Sequence, residues 1–272
     1  MSEFLLYHRP DGRDASRAQL LVVPSVVCAN AVTAEIAVRV GGKSILHQHG
    51  CAQIGDDARA TTAALQEIAY HPNAWATLVV SLGCETLQGS ELAEHLREKR
   101  VLCSIVGIQS SGGSAGAIAA GVQAFAEFPP IPMQRITPRN PVRLGVAFVG
   151  NTAGLARRYI SALAEAGFEV DEPVEVTREP VLKLAEMSSV DFPLGIVLVA
   201  DRGLPAGPVL VPLLAIAATA ELFDAADGEF DLHAPSDESL IVACAEMLGG
   251  LSTRAEERGD AHFAVRRTQL TL

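Results

Sequence analysis

Ala76-Thr77-Leu78-Val79-Val80-Ser81 is an apolar run of strand length, and the polar loop Leu82-Gly83-Cys84-Glu85 follows it directly. Strands that are apolar throughout are typical of a parallel sheet whose two faces are both covered by helices. The same pattern recurs at Leu20–Val23 and at Val101–Val106, and amphipathic helical segments separate these runs. Ser25 follows the first of these runs and is the predicted cap of the first helix. This alternation predicts an α/β fold built on a parallel sheet.

The alternation extends to both sides of a proline-dense passage. Residues 128–141 contain that passage, and we predict them to be a linker. Residues 1–127 form the predicted N-terminal α/β domain. Residues 142–272 form a second, less regular α/β domain. Its predicted strands are Val142–Val149, an edge strand over Glu169–Val176 and a central strand over Leu194–Ala200, with a further apolar run over Val209–Ala217 that Pro212 breaks and a predicted helix over Glu179–Met187. We therefore predict two Rossmann-like domains with mostly parallel sheets flanked by helices.

Composition narrows the classes of function. The chain has 272 residues, of which 49% are apolar and 19% are charged, and this balance is typical of a globular protein. Its 32 acidic against 21 basic residues give a net charge of -11, which argues against a nucleic-acid or anionic-membrane partner. The start shows no signal-peptide pattern and no window resembles a membrane span, so we expect a cytoplasmic protein with reduced thiols.

A short stretch before the second predicted helix is dense in metal-binding side chains. His47, His49 and Cys51 lie within five residues, separated by Gln48 and Gly50. Cys84 follows the strand quoted above, and Cys28 follows the first strand. Because parallel strands end at one edge of a sheet, these loops are expected to converge. The predicted metal ligands are His47, His49, Cys51, Cys84 and Cys28, for iron, zinc or a three-cysteine iron-sulfur cluster.

Each of these residues also has a structural interpretation. Cys28 is as consistent with a core position as with a ligand, and one of the two histidines could only hydrogen-bond the turn. Asp56 and Asp57 are candidates for substrate binding, but they precede a helix and could only complement its dipole. Cys103 and Cys244 fall on apolar patterns, so we expect both to fill the core.

Two further polar loops are candidates for binding an acid. Gln109-Ser110-Ser111-Gly112-Gly113-Ser114 leads into a helix, and backbone N–H groups at such a place can cradle a carboxylate or phosphate. This loop lacks the lysine of a P-loop and the GxGxxG spacing of a dinucleotide site. Arg202 follows another predicted strand and could clamp a carboxylate, or could form a solvated pair with Asp201. Glu85 could serve as a general base if a dry environment shifts its pKa.

A set of short motifs, taken together and in order, resembles a known family. The N-terminal motifs are Pro10–Arg13, Leu21–Asn30, His47–Cys51, Gly55–Asp57, His71–Asn73, Leu82–Glu85 and Gln109–Gly113. Looser C-terminal matches are Arg202–Gly207, Val211–Pro212, Asp231–Ala234, Ser252–Gly259 and Phe263–Val265. These segments resemble the altronate/galactarate dehydratase family, which also includes the large subunit of sulfolactate sulfo-lyase.

The resemblance implies a lyase that depends on a divalent metal, usually iron, and removes water or sulfite from a small carboxylic acid. It implies metal or active-site roles for His47, His49, Cys51, Cys84, Glu85 and Cys28. Among these, we expect His49 and Glu85 to be catalytic. It also implies substrate binding near Gln109, Ser111, Gly112, Gly113 and Arg202, with Asp56 and Asp57 as further candidates.

The sequence also departs from the family in two ways. Ala52 stands where the family usually shows glycine, a change that is costly if the local φ is positive. The chain is also much shorter than a full member. We therefore consider a metal-dependent lyase, a non-catalytic metal- or ligand-binding paralogue or subunit of a larger lyase, and a structural protein. Expected partners are a small acid substrate, a small partner subunit and further copies of the chain.

Overall fold

The computed structural model describes residues 4–9, 11–131, 133–136, 138, 141–176, 193–200, 207–226 and 228–263. These residues form two compact units. The N-terminal unit contains the described residues of 9–13, 18–131 and 263–272, and the C-terminal unit contains those of 1–8, 14–17 and 132–262. The predicted bounds of the two domains and of the linker stay a prediction.

A small antiparallel sheet belongs to the C-terminal unit. In it, β1 (Phe4–His8) pairs with β2 (Asp14–Ala15) on one side and with β7 (Met133–Ile136) on the other. The first described strand is therefore grouped with residues more than a hundred positions further along the chain.

The N-terminal unit is built on a four-stranded parallel sheet. Its strand order is β4-β3-β5-β6. The strands are β3 (Gln19–Pro24), β4 (Lys43–Ser44), β5 (Ala74–Ser81) and β6 (Leu102–Gly107). The helices between and after them are α1 (Asn30–Val40), α2 (Gly55–Tyr70), α3 (Gly89–Glu98) and α4 (Ser114–Ala126).

Strand β5 is buried along almost its whole length because helices cover both faces of the sheet. Leu78 packs into the same apolar cluster as Ile36 of α1 and Ala117 of α4. A Cβ atom at Gly121 of α4 would lie 3.0 Å from Leu78 Cδ2, so this glycine lets α4 approach the sheet closely. On the opposite face, a Cβ atom at Gly89 of α3 would lie 3.4 Å from Val79 Cγ1. Burial on both faces is what the apolar sequence of this strand predicts.

The C-terminal unit contains a second parallel sheet with the strand order β10-β8-β11-β12-β13. Its strands are β8 (Arg143–Val149), β9 (Glu169–Val170), β10 (Val174–Glu175), β11 (Leu194–Val199), β12 (Leu213–Ala217) and β13 (Leu232–His233), with β9 also on β8. The helices are α5 (Ala153–Glu165), α6 (Ala220–Ala225), α7 (Asp237–Leu248) and α8 (Arg254–Arg258). Two α/β units with mostly parallel sheets confirm the predicted fold class.

Some predicted elements differ from the observed ones. The single edge strand predicted over 169–176 is two short strands, β9 and β10. The run predicted to begin at Val209 forms a strand only from Leu213, after Pro212, whose ring removes a backbone donor. The helix predicted over Glu179–Met187 lies outside the described residues. None of the described helices combines the length and the apolar character that a membrane crossing would need.

Candidate active site

The loops that leave the four strands of the N-terminal sheet meet at its carboxyl edge. Backbone hydrogen bonds join them pairwise: Ser25 N–H to Val80 O (2.9 Å), Val27 N–H to His49 O (2.8 Å), Ile108 N–H to Ser81 O (2.8 Å) and Gln109 N–H to Leu82 O (3.2 Å). The loops after β3, β4, β5 and β6 thus form one surface, as the parallel topology predicts.

His47 is held inside the turn formed by residues 45–54, here called the histidine turn. Its imidazole is only 5% exposed. Its Nδ1 accepts the backbone N–H of His49 at 3.2 Å, so Nε2 carries the proton and donates to Pro24 O at 2.9 Å. Burial lowers the pKa of His47 despite the opposing effect of the bond to Pro24. His47 is therefore a neutral structural residue with both ring nitrogens engaged.

His49 is the more accessible of the two histidines. Its ring stacks on that of His47, with centroids 5.8 Å apart and planes 15° from parallel. The Gln53 side chain supports it: Gln53 Oε1 accepts Gly50 N–H at 2.9 Å, and Gln53 Nε2 lies 3.5 Å from His49 Nδ1. The possibility that one histidine only hydrogen-bonds the turn thus applies to His47, while His49 presents its ring at the surface.

Two residues of the histidine turn have left-handed backbone. Gly50 has φ +92°, and a Cβ atom there would overlap Ser25 O and lie 2.9 Å from Val26 Cα. Ala52 has φ +55°, a region in which a side chain is disfavoured. The departure from glycine at position 52 is therefore of the costly kind.

Replacing Ala52 by glycine should stabilise the protein by about 1 kcal/mol, because glycine adopts this backbone without a Cβ penalty. Urea unfolding at neutral pH measures the change. Ala63→Gly is the matched control: it lies at an exposed position inside α2 and should cost about 1 kcal/mol. If both variants were destabilised equally, the strain assigned to Ala52 would be ruled out.

Glu85 braces the loops after β3 and β5. Its carboxylate is 5% exposed and accepts the Ser25 hydroxyl (2.8 Å), Gly83 N–H (2.6 Å) and Leu82 N–H (3.2 Å). Burial raises the pKa of Glu85, but these hydrogen bonds outweigh it and hold the pKa below its ordinary value. This geometry makes Glu85 an ionised anchor of the two loops, and its predicted catalytic role stays a prediction.

The prediction that Ser25 caps the first helix is wrong. Its hydroxyl donates to Glu85, and a short 3₁₀ turn over Val27–Ala29 precedes α1, which has no side-chain cap among the described residues. Ser25 and Gln53 are the positioning residues that sequence reasoning missed. The available signal was their place: Ser25 directly follows a buried strand, and Gln53 lies four residues after His49.

Glu85→Gln is expected to lower the free energy of unfolding at neutral pH by about 1.5 to 3 kcal/mol, because an amide cannot accept from all three donors. The folded-state pKa is lowered, so the carboxylate stabilises the fold above its unfolded pKa of about 4.3. That stabilisation is lost as the pH falls through the folded pKa.

Urea unfolding across this pH range therefore should show the difference between wild type and Glu85→Gln shrinking in acid. Glu94→Gln, at an exposed position on α3, is the control and should change stability by less than about 0.5 kcal/mol. A Glu85→Gln effect that stays constant with pH would contradict the anchor role.

The five cysteines divide into exposed and buried groups. Cys28, Cys51 and Cys84 are exposed free thiols, so Cys28 is not a core residue. Cys244 is fully buried, as predicted, and burial raises its pKa to about 12. Cys103 is only half-buried on β6, against the prediction of a core position, and burial raises its pKa to about 11.

The described residues do not fit a preformed metal centre. No three His, Cys, Asp or Glu side chains within the described ranges form a group that could hold an ion. His47 is engaged at both nitrogens, and the Glu85 carboxylate accepts hydrogen bonds from Ser25, Gly83 and Leu82. The predicted ligand set of His47, His49, Cys51, Cys84 and Cys28 is thus not brought together as ligands, and its role with a metal stays a prediction.

Asp56 and Asp57 lie in the first turn of α2, where carboxylates complement the helix dipole. Asp56 is exposed and forms an ion pair with Arg59 of the same helix. This geometry favours the structural interpretation of Asp56, and the substrate role of both residues stays a prediction.

The loop between β6 and α4 has the shape of an anion cradle. Gly112 (φ +75°) and Gly113 (φ +109°) turn the chain into α4, whose first N–H groups have no partner within the helix. Gln109 is exposed and its side chain lies against Gly83: a Cβ atom there would be 3.1 Å from Gln109 Cδ. Ser111, Gly112 and Gly113 already donate their N–H groups to backbone carbonyls of the same loop. A carboxylate beside the loop of Cys84 and Glu85 would therefore be bound by the N–H groups in the first turn of α4. Arg202 lies outside the described residues.

Comparison with known proteins identifies the segment that carries this site. Residues 6–130 match the family model described as D-galactarate dehydratase/Altronate hydrolase, second domain. All four strands whose exit loops form the site lie within this matched segment, so the resemblance stated from the motifs is confirmed for this segment.

Two curated relatives align with about a third of the chain. Altronate dehydratase of Escherichia coli (strain K12) is 35% identical over 105 residues, which cover 35% of this chain and 21% of that protein. Altronate dehydratase of Bacillus subtilis (strain 168) is 33% identical over 103 residues, which cover 34% and 21%. The chain thus spans about a fifth of the length of these relatives.

A solved acetyl-coenzyme A synthetase from Ca. Korarchaeum cryptofilum aligns over 89% of this chain and 66% of its own, at 13% identity and a TM-score of 0.25. A TM-score this low supports no conclusion about fold or ligand.

Proposed function

We propose that the chain is a hydro-lyase, or a functional part of one, that removes water from a small hydroxy acid of the sugar-acid class. The observation that carries the proposal is the convergence of the four exit loops at one edge of the N-terminal sheet, which lies in the segment that matches the family model. The two relatives named altronate dehydratase support the reaction class.

The reaction needs few groups. A base removes the proton on the carbon beside the carboxylate, and the hydroxyl on the next carbon leaves with a proton as water. The resulting enol then takes up a proton to become a 2-keto acid. Atoms and electrons balance without an oxidant or reductant.

The side chains of the site divide these tasks. Backbone N–H groups in the first turn of α4 would bind the substrate carboxylate. His49, the accessible imidazole, would transfer the proton. His47 and Glu85 hold the loops in place. Divalent iron, zinc or a cluster stays a separate proposal, and no step above uses one.

His49→Gln should lower kcat for dehydration by about 100-fold or more, because a proton-transfer group contributes at least that factor. The assay follows 2-keto acid formation from D-altronate and D-galactarate. His95→Gln on α3 is the control and should retain wild-type kcat. A His49→Gln variant that retains wild-type kcat would contradict the assigned role.

A second candidate is a non-catalytic paralogue or a subunit of a larger lyase. The short alignment, 21% of each relative, favours it. It predicts ligand binding without turnover by the chain alone, and turnover on addition of a partner chain.

The metal proposal is tested separately by the metal and acid-labile sulfide content of wild type, Cys51→Ala and Cys84→Ala. Sedimentation of the purified chain tests the proposed homo-oligomer.

A further inference from the structure

A small cleft lies beside the histidine turn in the N-terminal unit. Its volume is about 130 Å³, and it is bounded by the turn, by α2 and by the start of α3. Its polar lining comes from six side chains: Gln53, Thr62, Gln66, Thr86, Gln88 and Glu91. Among these six residues, only Gln53, which supports His49, has been given a role above.

The cleft offers hydrogen-bonding groups that the protein leaves open. Gln66, Thr86 and Glu91 make no side-chain hydrogen bond to another described residue. Gln88 donates through Nε2 to Glu85 O at 2.6 Å, which leaves its Oε1 to accept. The Thr62 hydroxyl donates to Ala58 O at 2.9 Å, which leaves its oxygen to accept. A ligand would therefore find both donors and acceptors.

The charge of the lining selects the ligand. Among the described residues that line the cleft there is no lysine, arginine or histidine, and Glu91 would repel an anion. A carboxylate is thus disfavoured here, whereas hydroxyl groups, which both donate and accept, match amide and hydroxyl side chains. The cleft suits the uncharged, hydroxylated part of a molecule.

Size and position narrow the choice further. A volume of about 130 Å³ corresponds to about four water molecules of the liquid, which is enough for a fragment of about four hydroxylated carbons. Gln53 connects the cleft to the candidate active site, because its side chain lines the cleft and also bonds Gly50 N–H (2.9 Å) beside His49. A ligand in the cleft would therefore lie against Gly50, which follows His49 in the chain, and against Gln53, which supports the His49 ring.

We propose that this cleft is the subsite for the hydroxylated tail of the acid, with Gln66, Thr62 and Glu91 as residues that determine specificity. The assignment to an acid substrate rests on the proposed function. The binding of a hydroxylated fragment does not, because it follows from the lining alone.

The test uses threitol, a four-carbon polyol, as probe and ligand-observed NMR on the full chain. Threitol should bind, and Gln66→Leu and Thr62→Val should each weaken binding about fivefold or more through a lost hydrogen bond. Gln123→Leu, exposed on α4 and remote from the cleft lining, should leave binding unchanged. Succinate, a carboxylate without hydroxyls, should not compete. Absent threitol binding, or binding that neither cleft variant weakens, overturns the proposal.

Failure of the subsite and failure of the proposed function give different results. In one outcome, the cleft variants weaken threitol binding, but the chain produces no keto acid with or without a partner. This outcome supports the subsite and refutes the dehydratase function. The subsite alone is refuted if Gln66→Leu forms keto acid with an unchanged KM and also binds threitol as tightly as wild type. Unfolding curves of both variants establish that they are folded.

Discussion

Gly50→Ala should lower the free energy of unfolding by about 2 to 5 kcal/mol, because it adds a left-handed backbone penalty to a steric overlap with rigid atoms. The added Cβ would overlap Ser25 O and lie 2.9 Å from Val26 Cα, and neither atom belongs to a flexible side chain. To relieve the overlap, the histidine turn would have to move away from β3 and lose the bond between Val27 N–H and His49 O.

Gly112→Ala separates the two contributions. Gly112 also has positive φ (+75°), but a Cβ atom there meets no described atom within 4 Å, so only the backbone penalty of about 1 to 2 kcal/mol applies. Chemical unfolding measures both variants. The tight packing of the histidine turn against Ser25 would be contradicted if Gly50→Ala cost no more than Gly112→Ala.

Arg9→Met should destabilise the protein by about 3 to 5 kcal/mol, because it removes a buried charge with its hydrogen bonds and leaves their acceptors unpaired. The Arg9 guanidinium is 1% exposed; it donates to Pro72 O at 3.0 Å and to Ala74 O, and it pairs with Asp11 at 3.3 Å. Its Cζ also lies 6.0 Å from the centre of the Trp75 ring.

The matched control is Arg13→Met. Arg13 also pairs with Asp11, at 2.8 Å, but it is 20% exposed and its guanidinium stacks on Tyr70 at 3.7 Å. Its loss should cost about 1 kcal/mol. Thermal and urea unfolding give both values. Equal destabilisation by the two variants would show that the buried Arg9 contributes no more to the free energy of unfolding than the partly exposed Arg13.

The sequence predicts the strands of the N-terminal sheet because their signal is local. Residues 76–81 are predicted as a strand and β5 spans Ala74–Ser81. The continuous apolar run of a strand that is covered on both faces can be recognised without knowledge of the neighbouring strands. Convergence of the exit loops follows from parallel topology in the same way, so the place of the site was predictable.

The functions of single side chains were less predictable, because they depend on distant contacts. Residues 7–13 have the sequence of a polar turn, yet Arg9 is buried and donates to backbone carbonyl groups more than 60 positions away. Ser25 precedes a helix and looks like a cap, but its partner Glu85 lies 60 positions along the chain. His47 and His49 look alike in sequence, and only contacts made in the fold, such as the bond from His47 to Pro24 O, distinguish the buried residue from the more accessible one.

The most direct test of the proposed dehydration follows the reaction of D-altronate and of D-galactarate in D₂O by NMR. If the chain eliminates water, the 2-keto acid product should carry one solvent deuterium on the carbon that lost the hydroxyl, because the enol intermediate is protonated there by solvent. His49→Gln should slow this incorporation by about 100-fold or more. Absence of keto acid and of deuterium incorporation, in the chain alone and with added metal or partner chain, would contradict the dehydratase assignment.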